Sequence, residues 1–478
     1  MSVSHNIARK KVLAYTILMS ELSVKNPYSC IWITDGLSSR DAQKRYRERR
    51  STLAQKIGYT CVIFGTDTLP GDRNNWAHVP SFIYQEPLML FLTGINQPKV
   101  ALVLNPNHSH QEILFIPPKN AMLEFWEGKK FGFGSKEDLE EITDITGIAQ
   151  VYPIETLETY LSTQLTSAST MGLYWHSSPT KTLKDPLFDK KSKLIRALKR
   201  KGVAPAVVNI AHAQWQCRLP LDATDFKNAQ TANAKTADAF KKTLPVIPTC
   251  KSETEVSGIL AGEIQKRSYF GHSFPSIIAS GKNATILHYT KNNDTFSPQE
   301  LLLLDFGVRW QGMHADISRT VPISGKFNPL QRLLYTLVLD AQARVEKHAK
   351  PGVTLEELNT LCWTFINSEL DSKIRSNGGQ ANLPYATQPH NVSHYIGLQV
   401  HDGDPFRLYK KTPLAPGMMI SNEPGLYGHF SMTLENVLYT EWIGIRIEDD
   451  LWITASGCIN LSRDCPKTID EIEALMAS

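Results

Sequence analysis

The sequence predicts a mixed α/β (α+β) fold divided into two domains. Two observations support this: the length of the chain, and an alternation of short apolar runs with polar, helix-like stretches. The chain has 478 residues. A single hydrophobic core seldom grows past roughly 250–300 residues, so two domains are expected. The composition is that of a globular protein, 42% apolar and 21% charged. A net charge of +4 over this length gives no basis for nucleic-acid binding. There is no run of about 18 apolar residues, so no membrane span is expected.

From the amino terminus, residues 1–20 carry Arg9, Lys10 and Lys11 and no acid before Glu21. Such a segment suits an organellar transit peptide, which would place the protein in mitochondria. Its poverty in arginine favours a surface extension and a cytoplasmic protein. A secretory signal fits less well, because the apolar run after Lys11 is interrupted and lacks a small-residue cleavage site. The seven cysteines, Cys30, Cys61, Cys217, Cys250, Cys362, Cys458 and Cys465, are odd in number and form no CxxC. They read as reduced thiols.

Ser39–Lys56 reads as a charged helix with Asp41 in its first turn. Cys61–Gly65, Met89–Thr93 and Val100–Asn105 read as strands, from their β-branched or apolar content and bounding Gly, Pro and Asn. Lys191–Lys201 reads as a helix stopped by Gly202. Gly202–Pro205 looks like a joint between domains. Two further helices follow, about Asp225–Lys242 and then from the capping candidate Ser252 to Arg267. No repeat or low-complexity segment interrupts the chain.

The chemistry concentrates after Ile277. In Leu301–Pro322, two apolar strands flank a turn signal at Trp310-Gln311-Gly312. With the turn centred between Trp310 and Gln311, Asp305 and Asp316 sit directly opposite, about 5 Å apart. Like charges so placed destabilise a sheet unless one keeps its proton or a cation lies between them. A different register, with one aspartate in solvent, is the alternative. His390–Asp402 packs His390, His394 and His401 into a short segment. Imidazole is the commonest neutral metal ligand, although a single histidine taken alone is more often a hydrogen-bonded core residue. His390 and His394 share a face if the segment is helical. Pro416–Tyr427 reads as an apolar strand ending at Glu423 beside the rigid Pro424-Gly425, or as a loop with a surface glutamate. In Trp442–Thr454, read as one strand, Gly444, Arg446 and Glu448 face one way and Ile443, Ile445 and Ile447 the other. Arg446 and Glu448 then need partners, either each other or a site. Four carboxylates and an imidazole favour Mn²⁺, with Co²⁺, Fe²⁺ or Zn²⁺ as alternatives.

Taken together, LLLLDFG…GMHADISRT, HNVSHYIGLQVHD, SNEPGLY and GIRIEDD resemble the pita-bread metallopeptidases of family M24, and within them aminopeptidase P. Glu86–Leu104, Glu124–Gly132 and the terminal IDEIEALM also look like this family. The resemblance implies an extension over residues 1–38, a creatinase-like amino-terminal domain over 39–203 and a pita-bread catalytic domain over 204–478. It implies two divalent ions, Mn²⁺ foremost, held by Asp305, Asp316, His394, Glu423 and Glu448. The implied reaction is hydrolysis of the bond between an N-terminal residue and proline by a metal-bridged hydroxide. The implied bridges are Asp316 and Glu448. Glu423 would shuttle the proton, His288 (closing the segment Ser280–Tyr289) and His401 would steady the substrate side, and His390 and Arg446 would orient the site. Peptides with proline second are the implied partners, and a homodimer or homotetramer the implied assembly. A prolidase acting on dipeptides, or a non-catalytic pita-bread module, are the rival readings. The chain departs from the family's pattern at Phe306, expected to narrow the floor of the site, at Asn391, and over Gly428–Glu441.

Overall fold

The computed structural model describes residues 33, 35–67, 85–108, 111–175, 188–403 and 408–478. Nearly all of the expected extension lies outside these. Strands β1 (Thr60–Phe64), β2 (Ala101–Leu104), β3 (Glu112–Ile116), β4 (Gln150–Pro153), β5 (Thr170–Leu173) and β6 (Ala206–Asn209) form one mixed sheet in the order β4-β3-β2-β1-β5-β6. β1 pairs antiparallel with β2 and parallel with β5. The helix Ser39–Ile57 packs beside this sheet, and Gly58 ends it in the left-handed region at φ 73°. β6 lies past the joint expected at Gly202–Pro205, yet it pairs with β5 over Ala206–Asn209. By strand pairing, the amino-terminal unit therefore reaches Asn209.

One expected strand is a helix. Met89–Thr93 belongs to the helix Pro87–Thr93, opened by proline at its first position and closed by Gly94 at φ 71°. Five of these residues, Leu88 to Leu92, are buried and apolar. An apolar run this short and buried on every side has no periodicity to tell helix from strand.

The second unit holds β7 (Ile277–Ser280), β8 (Leu301–Phe306), the short ribbon β9 (Arg309–Trp310) and β10 (Met313–His314), and β11 (Ile317–Pro322). It continues with β12 (Gln380–Asn382), β13 (Met419–Asn422), β14 (Gly425–Leu434), β15 (Val437–Arg446), β16 (Asp449–Ile453) and β17 (Cys458–Asn460). The sheets run β11-β8-β7, β12-β14-β15 and β13-β16-β17. The helices Ala223–Thr243, Glu253–Arg267, Pro329–His348 and Leu355–Ser376 lie among them. Their apolar faces, among them Phe240, Leu260, Leu334 and Ile366, join Leu304, Phe306 and Ile445 in one core. Gly428–Glu441, for which no match was expected, forms most of the β14–β15 hairpin.

The hairpin register differs from the expected one. Gln311 and Gly312 both take positive φ, 49° and 89°, which is the two-residue turn that matches strand twist. The turn therefore centres one residue later, and Asp305 pairs with Ser318. Because side chains alternate with a period of two, this slip leaves Asp316 on the same face as Asp305, diagonal to it. Gly307 makes the hairpin possible, since a Cβ there would lie 1.8 Å from the Ala315 carbonyl oxygen.

The two units share a core. Leu88, Met89 and Leu92 of the first cluster with Met313, Ile396, Leu398 and Trp452 of the second. A buried ionic cluster adds to this contact. Arg45, on the helix Ser39–Ile57, donates to Asp35 at 2.5 Å, to Asp222 at 2.9 Å and to Asp225 at 2.5 Å. Asp222 caps the helix Ala223–Thr243. Burial pushes the Asp35 carboxyl up to about 6 against the pull of Arg45 and Arg49. Arg45→Ala leaves buried carboxylates without their counter-charge. It is expected to lower unfolding free energy by about 3–5 kcal/mol, measured by urea denaturation. A loss under about 1 kcal/mol would show the cluster to be a weak surface-like pair.

Candidate metal centre

Asp305 lies near the end of β8 and Asp316 just before β11, on the shared face described above. Glu423 follows β13 directly. Glu448 sits in the break between β15 and β16, so Trp442–Thr454 is two strands rather than one. The break leaves Ile443, Ile445 and Ile447 fully buried on the core side. Arg446 and Glu448 turn the other way, and Ser318 binds both.

The segment carrying the histidines is not helical. Residues 392–396 run extended beside β13. Glu423 N–H donates to the Val392 carbonyl, Ser421 N–H to that of His394, and Ile396 N–H to that of Met419. This pairing, rather than a helical i,i+4 spacing, brings His394 to Glu423, with Nε2 3.4 Å from Oε1. The same nitrogen is 3.5 Å from Asp316 Oδ2 and 4.0 Å from Glu448 Oε1. Asp316, His394 and Glu448 offer ligand atoms within 4.8 Å of one another. His394 Nδ1 lies 3.2 Å from the Tyr395 carbonyl. A proton on Nδ1 donated there leaves the Nε2 lone pair facing the carboxylates, as metal-binding histidines require.

Arg446 supplies the fixed positive charge. Its Nη2 donates to Asp305 Oδ2 at 2.6 Å, its Nε to Ser318 Oγ at 2.8 Å and its Nη1 to Tyr427 OH at 3.2 Å. Ser318 Oγ donates to Glu448 Oε2 at 2.8 Å. Tyr427 OH is also 3.0 Å from His390 Nε2. Burial, then the charge of Arg446 and the neighbouring histidines, lower the His390 imidazole to about 4, although its contact with the Asn391 carbonyl raises it. His390 is therefore neutral at neutral pH.

One cation does not balance this many acids. Burial and the charges of Asp305 and Glu423 hold the Asp316 carboxyl well above its ordinary range. Burial, Asp316 and Glu423 do the same to Glu448. Burial also raises Glu423, against the pull of His394 and Arg446. Asp305 Oδ1 is buried with no hydrogen-bond partner. An orphaned oxygen beside crowded carboxylates and a free imidazole nitrogen fits hard or borderline divalent cations.

The remaining expected residues lie on the rim. His401 stands against His394, ring centroids 4.4 Å apart, and His288 lies 6.5 Å from His401. His288 and His401 are exposed. The segment carrying His288 fits closely against β15 because Gly444 has no Cβ, which would meet the Ala284 carbonyl at 2.1 Å. Phe306 does not form the floor of the site. It points to the opposite face from Asp305 and stacks on Phe240 in the core, with centroids 5.3 Å apart. Asn391 accepts from Lys410 Nζ at 3.1 Å.

Sequence reading overlooked Ser318, Tyr427 and Asp450. Ser318 was legible, because strand alternation places it on the face of Asp316. Asp450 Oδ2 accepts the Asp316 N–H at 3.1 Å and Asn233 Nδ2 at 2.8 Å. The consecutive acids Glu448-Asp449-Asp450 in an apolar stretch were its signal. Tyr427 had none, since its role depends on how β14 pairs with β15. Among the described residues no helix is long and apolar enough to cross a membrane, and Cys61, Cys217, Cys250, Cys362, Cys458 and Cys465 are free.

The model of metallopeptidase family M24 matches residues 227–455, and that of the aminopeptidase P N-terminal domain matches residues 46–174. The chain is 29% identical to Xaa-Pro aminopeptidase 3 of Rattus norvegicus, covering 93% of this chain and 87% of that one. It is 28% identical to the Xaa-Pro aminopeptidase of Haemophilus influenzae, covering 91% and 97%. Aminopeptidase PepP of Pseudomonas aeruginosa superposes with a TM-score of 0.75 at 25% identity, over 91% of this chain and 98% of that one. Proline aminopeptidase P II of Yersinia pestis superposes with a TM-score of 0.73 at 26% identity, over 91% and 99%.

Raised carboxyl pKa values have a definite sign in stability. Asp316, Glu423 and Glu448 bind protons more tightly folded than unfolded. Metal-free protein should therefore be most stable below the unfolded carboxylate range near about 4 as far as these groups are concerned. That contribution is lost as pH rises through their raised values. Saturating Mn²⁺ should raise the Tm of the metal-free protein and flatten this slope. Thermal melts of chelator-treated protein between about pH 5 and 8, with and without Mn²⁺, test it. Indifference to Mn²⁺ throughout would contradict the site.

Proposed function

The chain belongs to metallopeptidase family M24, as a metallo-aminopeptidase with an aminopeptidase P amino-terminal domain, and from that premise we propose that it removes the N-terminal residue from peptides with proline in second position. The observation carrying this reading is the convergence of Asp316, His394 and Glu448 within ligand distance of one another, with His401 leading outward from them. Asp305, Asp316, His394, Glu423 and Glu448 are the proposed holders of two divalent ions, Mn²⁺ foremost. Asp305 and His394 would each offer a ligand atom to these ions, as would Asp316, Glu423 and Glu448. When bound, such ions supply Lewis acidity and a water activated to hydroxide at neutral pH.

The chain's own groups do the rest. Arg446 anchors Asp305 directly and Glu448 through Ser318, so these carboxylates keep their orientation when charge changes nearby. Glu423 stands 3.5 Å from His390 Nδ1 and 3.4 Å from His394 Nε2. It receives the proton of the attacking water and passes it to the departing proline nitrogen. His288 and His401 face the substrate and donate to the oxyanion of the tetrahedral state. A donor of this kind is worth about 10²–10³ in rate. Neutral His390 orients Tyr427 and thereby Arg446. The proposed division of the chain follows strand pairing, with the catalytic unit beginning after Asn209. A homodimer or homotetramer is the proposed assembly, carried over from the family.

Glu423→Gln is expected to lower kcat on an Xaa-Pro-Xaa tripeptide by about 10²–10⁴ while the protein remains folded. Turnover near that of the wild type would sink the proton-shuttle role. A preference for tripeptides over Xaa-Pro dipeptides is expected, and the reverse would indicate a prolidase. Elemental analysis should find up to two divalent ions per chain, and full activity in metal-free protein would contradict the reading.

A further inference from the structure

A buried carboxylate outside the ion-binding set governs the segment that presents His288. Glu253 opens the helix Glu253–Arg267 and is completely buried. It forms no salt bridge among the described residues. Its charge is instead met by five hydrogen-bond donors, all from the stretch that carries His288. Oε1 accepts from Ser280 N–H at 2.8 Å, Ser280 Oγ at 2.9 Å and Asn283 Nδ2 at 3.0 Å. Oε2 accepts from Tyr289 OH at 2.8 Å and Asp294 N–H at 3.0 Å. The main chain joins in, as Glu253 N–H donates to the Asp294 carbonyl.

These contacts enclose His288 on both sides. Ser280 and Asn283 hold the turn before it, and Tyr289 and Asp294 the chain after it. Tyr289 is buried in an apolar cluster with Ala284, Leu303 and Tyr427, while its neighbour His288 is exposed and faces His401. The short turn Gly281–Thr285 gains further support where Ala284 meets Gly444. A carboxylate saturated by five donors is a rigid anchor, because moving it breaks five hydrogen bonds at once, and Asn283 and Tyr289 tie themselves further to Asp294 and Asn293 within the same stretch. The loop is thus held from behind, and its free side is the one that bears the imidazole.

We propose that Glu253 is a positioning residue, which sets the place of His288 relative to His401 by clamping both ends of the 280–294 segment. This rests on the reading of His288 as a substrate-side donor. An amide in place of the carboxylate retains one acceptor oxygen and turns an NH₂ toward groups that themselves donate. The segment then loses its fixed position, while Asp305, Asp316, His394, Glu423 and Glu448, held by other elements, keep theirs.

The test is a double-mutant cycle on an Xaa-Pro-Xaa tripeptide with Mn²⁺ present. Glu253→Gln should lose about 10–100-fold in kcat/KM, mostly in kcat, with the Mn²⁺ stoichiometry of the wild type. Tyr289→Phe, a milder change that keeps the ring, should lose less in the same direction. It carries the test if Glu253→Gln is insoluble. In a His288→Ala background, either substitution should cost less than about twofold more, because the group it positions is gone. Multiplicative losses would show a general structural role and overturn the proposal, as would wild-type kcat/KM in Glu253→Gln. His288→Ala with undiminished kcat/KM would instead sink the role of His288 and, with it, this inference.

Discussion

Four carboxylates share one buried space in this protein, and no arrangement of protein side chains alone makes that state comfortable. Asp305, Asp316, Glu423 and Glu448 repel one another in surroundings that solvate them poorly. Among the described residues Arg446 is the one arginine or lysine paired with them, and it neutralises at most one. The rest of the structure can be read as the means of holding these groups in place despite the repulsion. Two strands meet at the Gln311-Gly312 turn to supply two of them. β13 supplies the third at its end, and the break between β15 and β16 the fourth. Each comes from a strand end or break, where a side chain can turn from the core and its backbone is still tied by a ladder.

The hydrogen bonds around the site serve the same constraint. Ser318 carries the influence of Arg446 to Glu448, and Tyr427 carries it to neutral His390. Asp450 receives the backbone of Asp316 and is itself held by Asn233 on the helix Ala223–Thr243. Apolar packing backs these links. Met313, Ile396 and Leu398 border the segments that carry Asp316 and His394, and they bury themselves in a core shared with the amino-terminal unit. That unit therefore acts as a wall against which the acid- and histidine-bearing loops are pressed. His288 and His401 are different. They stand exposed on the rim, so their placement depends on what lies behind their loops, for which Glu253 is the clearest instance.

Much of this was legible in the chain. Asp305, Asp316 and Glu448 stood out because charged groups in apolar strands are costly and need a reason, whereas His394 and Glu423 joined them only through the resemblance to the family. The helices at 39–57, 223–243 and 253–267 followed from caps and composition, which act within a turn or two. Ser318 could have been found by counting strand alternation. These features depend on covalent neighbours and local propensity, and a sequence records such information directly.

Other features were decided only by the assembled fold. The Met89–Thr93 run was read as a strand because burial on every side erases the periodicity that separates helix from strand. The hairpin slipped by one residue because Gln311-Gly312 matched strand twist better than Trp310-Gln311. Phe306 went to the core against Phe240 because alternation forbids it the face of Asp305. His394 reached Glu423 through pairing with β13, not through helical spacing. The sequence by itself singled out acids whose place in apolar strands calls for a partner, since that cost is written in their immediate surroundings. The tertiary structure alone decided which of them meet, and which side chains hold them there, because those contacts join residues that are distant in the chain, and local propensity carries no information about such pairings.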